Sequence, residues 1–256
     1  MKLPPEGTFL MRSSTARTVP AVDTAPVETS RHHPHVTTAI LAAIPFAVAI
    51  LALQTSDAAH RAWFAEEDNV AENLQFAFLL VATWAAASVA LARWRRGEPL
   101  LALAYAVFAA GAFFVAGEEI SWGQRVFGIA TPEAVSEVNI QGELTLHNTF
   151  LLTPVFSFAQ LFIGFLPALA ALTPWQRLLS PRWDAWRRAL VPGPALASYF
   201  LLIGAWRLYR YAFMAPGTPA WVGELSEIPE LALYAGLALF ALEQRRVARV
   251  ARERLA

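Results

Sequence analysis

Residues 72–125 read ENLQFAFLLVATWAAASVALARWRRGEPLLALAYAVFAAGAFFVAGEEISWGQR, and this stretch decides the fold. Two apolar runs, 72–92 and 100–117, flank a turn that carries Arg93, Trp94, Arg95 and Arg96. Carboxylates stand at the far end of each run, Glu72 before the first and Glu118-Glu119 after the second. A helix needs about 20 largely apolar residues to cross a hydrocarbon core. The pair therefore reads as a transmembrane hairpin whose basic turn is cytoplasmic.

Four more apolar segments extend the pattern, at 37–54, 149–172, 189–206 and 229–242. The last is short, and extends upstream through Glu227 or downstream into Glu243-Gln244. The 256 residues are 56% hydrophobic and 16% charged, against about 45–50% and about 25% in soluble domains. The expected fold is all-α, an integral membrane bundle of about six transmembrane helices over residues 36–243 with both termini cytoplasmic. Charge placement supports that count. Sixteen of the twenty basic residues fall in the segments this topology puts inside, and Arg61, Arg125, Arg207 and Arg210 remain outside. Trp94, Trp175, Trp183 and Trp186 mark the inner interface, and Trp63, Trp122, Trp206 and Trp221 the outer one. The expected location is the cell membrane, multi-pass, of the bacterial inner-membrane type.

The ends read differently. Residues 1–35, broken by Pro4-Pro5, Pro20, Pro26 and Pro34, read as a disordered cytoplasmic tail, and His32, His33 and His35 are explained by solvation as well as by metal. Residues 244–256 alternate Val247, Val250 and Ala251 with arginines, as a basic amphipathic tail lying along headgroups would. The absence of cysteine removes disulfides, thiolate metal sites and cysteine nucleophiles. The arginines lie beside apolar runs and form no nucleic-acid-binding patch, so the expected partner is the lipid bilayer.

Thirteen of the twenty acids fall on the outer side, several at helix mouths. Glu72 with Gln75 opens the second span, Glu118-Glu119 close the third, His147-Asn148 open the fourth, Arg207 and Arg210 end the fifth, and Glu227 and Glu230 begin the sixth. Ionisable groups at membrane depth are costly and tend to face one another or a wet cavity. The helix dipole accounts for acids at helix N-termini, as at Glu72, Glu227 and Glu230. It disfavours Glu118-Glu119 at a C-terminus, for which a salt bridge to Arg125 is the plainer explanation. The loop 118–147 between two helix mouths has the length and specificity of a site-building insertion. Within it Thr131-Pro132-Glu133 predicts an N-cap with proline at the first helical position, starting a short helix to about Val138. Glu143 lies one turn before His147 if the fourth helix begins that early.

Gly117–Arg125 (GEEISWGQR) followed by Asn139–Asn148 (N-x-Q-x-E-x-x-x-H-N) resembles the paired signature of a bacterial polytopic membrane protein family that has no assigned activity. The resemblance covers about residues 60–160. A fainter one, carried by Glu118, Glu119 and His147, is to the CAAX-protease-and-bacteriocin-processing intramembrane proteases. It implies paired catalytic glutamates and a histidine. The chain departs from that pattern: Arg125 follows Glu119 by six residues where that family has four, and there is no second intramembrane histidine.

Two functions are compatible with these residues. In the first, the protein is a hydrolase or transferase acting on a lipid-linked or membrane-tethered substrate. Glu119 or Glu118 would be the base and His147 the acid. Arg125, Gln124, Trp122, Asn148, Glu72 and Glu230 would bind substrate, and Glu119, Glu143 and His147 would ligate a divalent metal if one is used. In the second, the same residues bind a lipid, a cation or a partner protein without catalysis.

Overall fold

A computed structural model describes residues 34–54, 63, 70–174, 181–214, 223 and 225–253. His32, His33, Asp57, His60, Arg61, Glu66, Glu67, Asp68, Trp175, Trp221 and Glu224 lie outside them, as do the side chains of His35 and Arg125. The helices are α1 (Pro34–Ala52), α2 (Val70–Arg95), α3 (Pro99–Glu119), α4 (Gln124–Phe127), α5 (Glu133–Ser136), α6 (Thr153–Leu172), α7 (Pro181–Leu190), α8 (Ala197–Phe213) and α9 (Glu227–Glu253). Among the described residues, β pairing is confined to one isolated bridge, Asn139 with Thr149.

Four stretches are long and apolar enough to cross a membrane: Val70–Arg95, Pro99–Glu119, Thr153–Leu172 and Trp183–Phe213. By helix length and composition the chain is a multi-pass membrane protein. The apolar part of α1, Thr37–Ala52, is shorter, and α9 runs 27 residues with Glu227 and Glu230 in its first turn.

Two expected boundaries move. The apolar segment at 189–206 contains a break: α7 stops at Leu190, Pro192 cannot continue it, and a single 3-10 turn at Pro194–Leu196 precedes α8. Helix α8 then continues to Phe213, so Arg207 lies within it and Arg210 in its last turn. The apolar segment at 149–172 forms α6, which starts at Thr153 with Pro154 in its first turn, and residues 139–152 before it are non-helical. Glu143 and His147 are therefore not one helical turn apart.

Helix α2 packs on α3 and α9, α6 on α8, and α8 reaches both α9 and α1. Small residues make these contacts close. Ala82, Ala85 and Ala86 of α2 and Ala109, Ala112 and Ala116 of α3 are buried. In lipid, where no hydrophobic force draws helices together, such close approach supplies the packing attraction. The bundle's other end, near the Arg93–Arg96 turn, is tied by Arg96, which donates to the Ala248 carbonyl at 2.7 Å, and by Gln244, which donates to that of Arg188 at 2.9 Å. Arg245 stacks over Trp84, its guanidinium carbon 4.0 Å from the ring centroid.

Candidate functional site

The candidate residues gather at one end of the bundle, but in two groups and not one. The division runs between Glu118 and Glu119. Successive residues on a helix point about 100° apart, so one carboxylate turns to the loop and the other into the bundle.

Glu118 is 3% exposed. Its Oε2 accepts the backbone N–H groups of Leu146 at 2.6 Å and His147 at 2.9 Å, and lies 3.1 Å from His147 Nδ1. Its Oε1 accepts the Trp122 indole N–H at 2.7 Å. The acceptor capacity of this carboxylate is taken up by the loop that returns to α6. Charge-assisted bonds of this kind are each worth about 1.5–3 kcal/mol, so Glu118 clamps the loop to the end of α3. Glu118→Ala is expected to release it. The amides of Leu146 and His147 should then exchange hydrogen about tenfold or more faster, with α2, α3 and α9 still protected. Unchanged exchange at those two amides would remove the clamp.

The rest of the loop is knit the same way. Ser121 Oγ donates to Glu143 Oε2 at 2.6 Å, and Gln124 Oε1 accepts the Leu144 N–H at 2.7 Å. Asn139 Oδ1 accepts from the amides of Gln141 and Glu143, its Nδ2 donates to the Thr145 carbonyl, and Asn148 bonds Gln141. The Gly117–Arg125 and Asn139–Asn148 segments thus form one hydrogen-bonded unit. Gln124, Trp122, Asn148 and Glu143, expected to bind substrate or metal, are engaged within it. Thr131 does not cap the short helix; Pro132 occupies the N-cap, and the Thr131 hydroxyl accepts from Gln124.

Ser121 and Trp122 have φ of +46° and +54°, sparsely populated for residues with a side chain. That backbone swings the Trp122 indole back over α3. The glycine at 117 makes room for it, since a Cβ there would sit 2.8 Å from the ring.

His147 is partly accessible, with a side chain 34% exposed and its ring against Phe156. Because a carboxylate only accepts, Nδ1 carries the proton in this contact, and in the Nδ1–H tautomer Nε2 keeps a lone pair. Around it the loop exposes Val126, Phe127, Leu146, Phe150 and Leu151.

Glu119 belongs to the second group. It accepts from the Tyr234 hydroxyl at 3.0 Å and lies within electrostatic reach of Glu72, Glu227 and Glu230. Gln75, fully buried, donates through Nε2 to the Glu227 carboxylate at 2.8 Å and to the Glu227 carbonyl at 3.1 Å. Arg207 donates to Glu230 at 2.6 Å and to Gln160 at 2.5 Å. Helices α2, α3, α6, α8 and α9 all contribute. Glu72 and Glu230, expected to contact substrate with His147, sit in this interior group instead. Gln160 and Tyr234 were not anticipated from sequence. A solitary Gln within an apolar helix was the available signal for the first, whereas Tyr234 reads as ordinary core.

Glu119, Glu143 and His147 are not assembled as one ligand set. Glu119 faces Tyr234, Glu143 bonds Ser121 and His147 bonds Glu118, and no three acidic or imidazole side chains among the described residues stand close enough to hold a metal ion together. A cavity of about 380 Å³ between α1, α8 and α9 is apolar apart from Trp206 and Tyr209 and holds no candidate residue. No protein-family model matches the chain, and no curated protein or solved structure matches it.

Proposed function

We propose that the chain is a six-span protein of the cell membrane, of the bacterial inner-membrane type, with both termini cytoplasmic. On this reading α1 and α9 are spans beside the four longer stretches, and the concentration of arginines at cytoplasmic segments orients them. We propose further that its outer face carries a hydrolytic or group-transfer site centred on His147, acting on a lipid-linked or membrane-tethered substrate.

The observation that carries this reading is the Glu118–His147 contact. A buried carboxylate on Nδ1 fixes the tautomer and orientation of the ring and leaves Nε2 its lone pair to act as a base. In hydrolysis Nε2 takes a proton from water, the oxygen bonds to the substrate's acyl or phosphoryl centre, and the imidazolium returns the proton to the leaving group. Glu118 acts as the orienting group, because its own lone pairs are occupied. Glu119, directed into the bundle, has no part in that step. The exposed apolar side chains of the loop support a membrane-borne substrate, since they favour a site level with the headgroups.

The test is His147→Gln in nanodiscs containing the host's total lipid extract, with products followed by mass spectrometry. The variant is expected to lose turnover by about 10²–10⁴-fold, the usual contribution of a positioned base, with an unchanged unfolding midpoint. Equal turnover in the variant, or none above protein-free discs in the native chain, rules the reading out.

A further inference from the structure

We propose that the interior group is a binding site for a monovalent alkali cation, formed around the amide oxygen of Gln75 and the carboxyl group of Glu227 and separate from the His147 site.

The orphaned acceptor is the first ground. Gln75 is fully buried, and its Oε1 has no hydrogen-bond partner among the described residues. The amide cannot be turned to relieve this. Its other arm faces two acceptors of Glu227, a carbonyl and a carboxylate oxygen, and must be the N–H₂. Since Nε2 lies 2.8 Å from Glu227 Oε2 and shares one carbon with Oε1, the amide oxygen is within about 5 Å of that carboxyl group. Buried acceptors in native structures almost always have a partner, and one that does not calls for an unseen water or ion.

The charge around it is the second ground. Glu119 and Glu227 have only neutral side-chain hydrogen-bond partners among the described residues, Tyr234 for one and Gln75 for the other. Arg207 is committed to Glu230 and Gln160, and Arg210, half-buried, faces Arg207 and Glu230. Glu72 lies within electrostatic reach of both Glu119 and Glu227. Carboxylates drawn away from water need positive charge or a proton beside them; Arg207 lies within electrostatic reach of Glu227, but its hydrogen bonds go to Glu230 and Gln160.

Donor chemistry sets the class of ion. Amide and carboxyl oxygens suit a hard cation. A divalent ion favours several anionic ligands at once, and among the described residues no three acidic side chains stand close enough to hold one together. A monovalent ion is satisfied by a neutral amide oxygen, one carboxylate and water.

Thermal unfolding of the detergent-solubilised protein tests the proposal, first in choline chloride and then with choline replaced by NaCl or KCl at constant ionic strength. One alkali ion is expected to raise the midpoint saturably, by about 5 °C. Glu227→Gln should move half-saturation about tenfold or more higher, and Glu253→Gln, on the exposed end of α9, should leave it in place. Glu119→Gln provides a second arm with the same expectation if Glu227→Gln is not recovered folded. Equal midpoints in choline, sodium and potassium would overturn the site and leave protons as the neutralising species. A response to MgCl2 or CaCl2 alone, or unaltered half-saturation in both glutamine variants, would overturn it too.

Discussion

Gly164→Ala is expected to pry α6 away from α8 and to cost about 3 kcal/mol, the upper end of the usual cost of overpacking. The reason is what the added methyl would meet. A Cβ on Gly164 would lie 2.5 Å from the backbone nitrogen of Gly204, 2.6 Å from its Cα and 2.9 Å from the Phe200 carbonyl oxygen. Backbone atoms cannot rotate aside as a side chain can, so two whole helices must separate. That separation would also loosen the approach of Gln160 on α6 to Arg207 on α8, and so reach the interior polar group. Unfolding by titration with sodium dodecyl sulfate, followed by circular dichroism, reads the effect. Gly111→Ala is the matching control, because a Cβ on that helical glycine meets nothing within 4 Å. Wild-type unfolding of the Gly164 variant would mean that α6 and α8 are not in backbone contact.

Why the helices were legible and the site only partly so has a physical explanation. Apolar runs of membrane-crossing length announce themselves through composition, and α2 and α3 begin and end within two to three residues of the runs at 72–92 and 100–117. The break before α8 was present in the sequence as Pro192-Gly193-Pro194, but a run judged by mean hydropathy passes over it. Convergence of acids at one end was also legible, since alternating helix direction brings the mouths of α2, α3, α6, α8 and α9 together. Partner choice was not. Glu118 and Glu119 are chemically identical neighbours, and only the rotation of α3 against α9 and the loop decides which meets Tyr234 and which meets His147. Sequence spacing along a helix fixes relative angles within it but not its rotation against others. The same limit hid the engagement of Gln124, Asn148 and Glu143 within the loop, because residues free to bind a substrate and residues that hold a loop shut are of the same kinds.

Arg207→Leu is expected to be the most damaging single change in the interior group, lowering stability by about 3–5 kcal/mol, the range for removing one partner of a buried ion pair. Arg207 and Glu230 have side chains only 9% and 15% exposed, so solvent offers the abandoned carboxylate little relief. The loss has two further parts. Gln160 Oε1 loses its donor, and Glu230, left with only Arg210 within electrostatic reach, then adds negative charge to a cluster that already includes Glu119 and Glu227. The double variant Arg207→Leu with Glu230→Leu separates these contributions. Replacing both members of a buried pair by apolar residues is often close to neutral, so much of the loss should return even though the ion pair is still absent. The same detergent titration measures both variants. Recovery in the double variant would show that the arginine's main task is to neutralise Glu230. A double variant as unstable as the single one would instead assign the cost to the bond with Gln160 and to the packing of the arginine stem between α6 and α9. A single variant that unfolds like the native chain would mean that the pair is solvated and that this end of the bundle is not a closed interior.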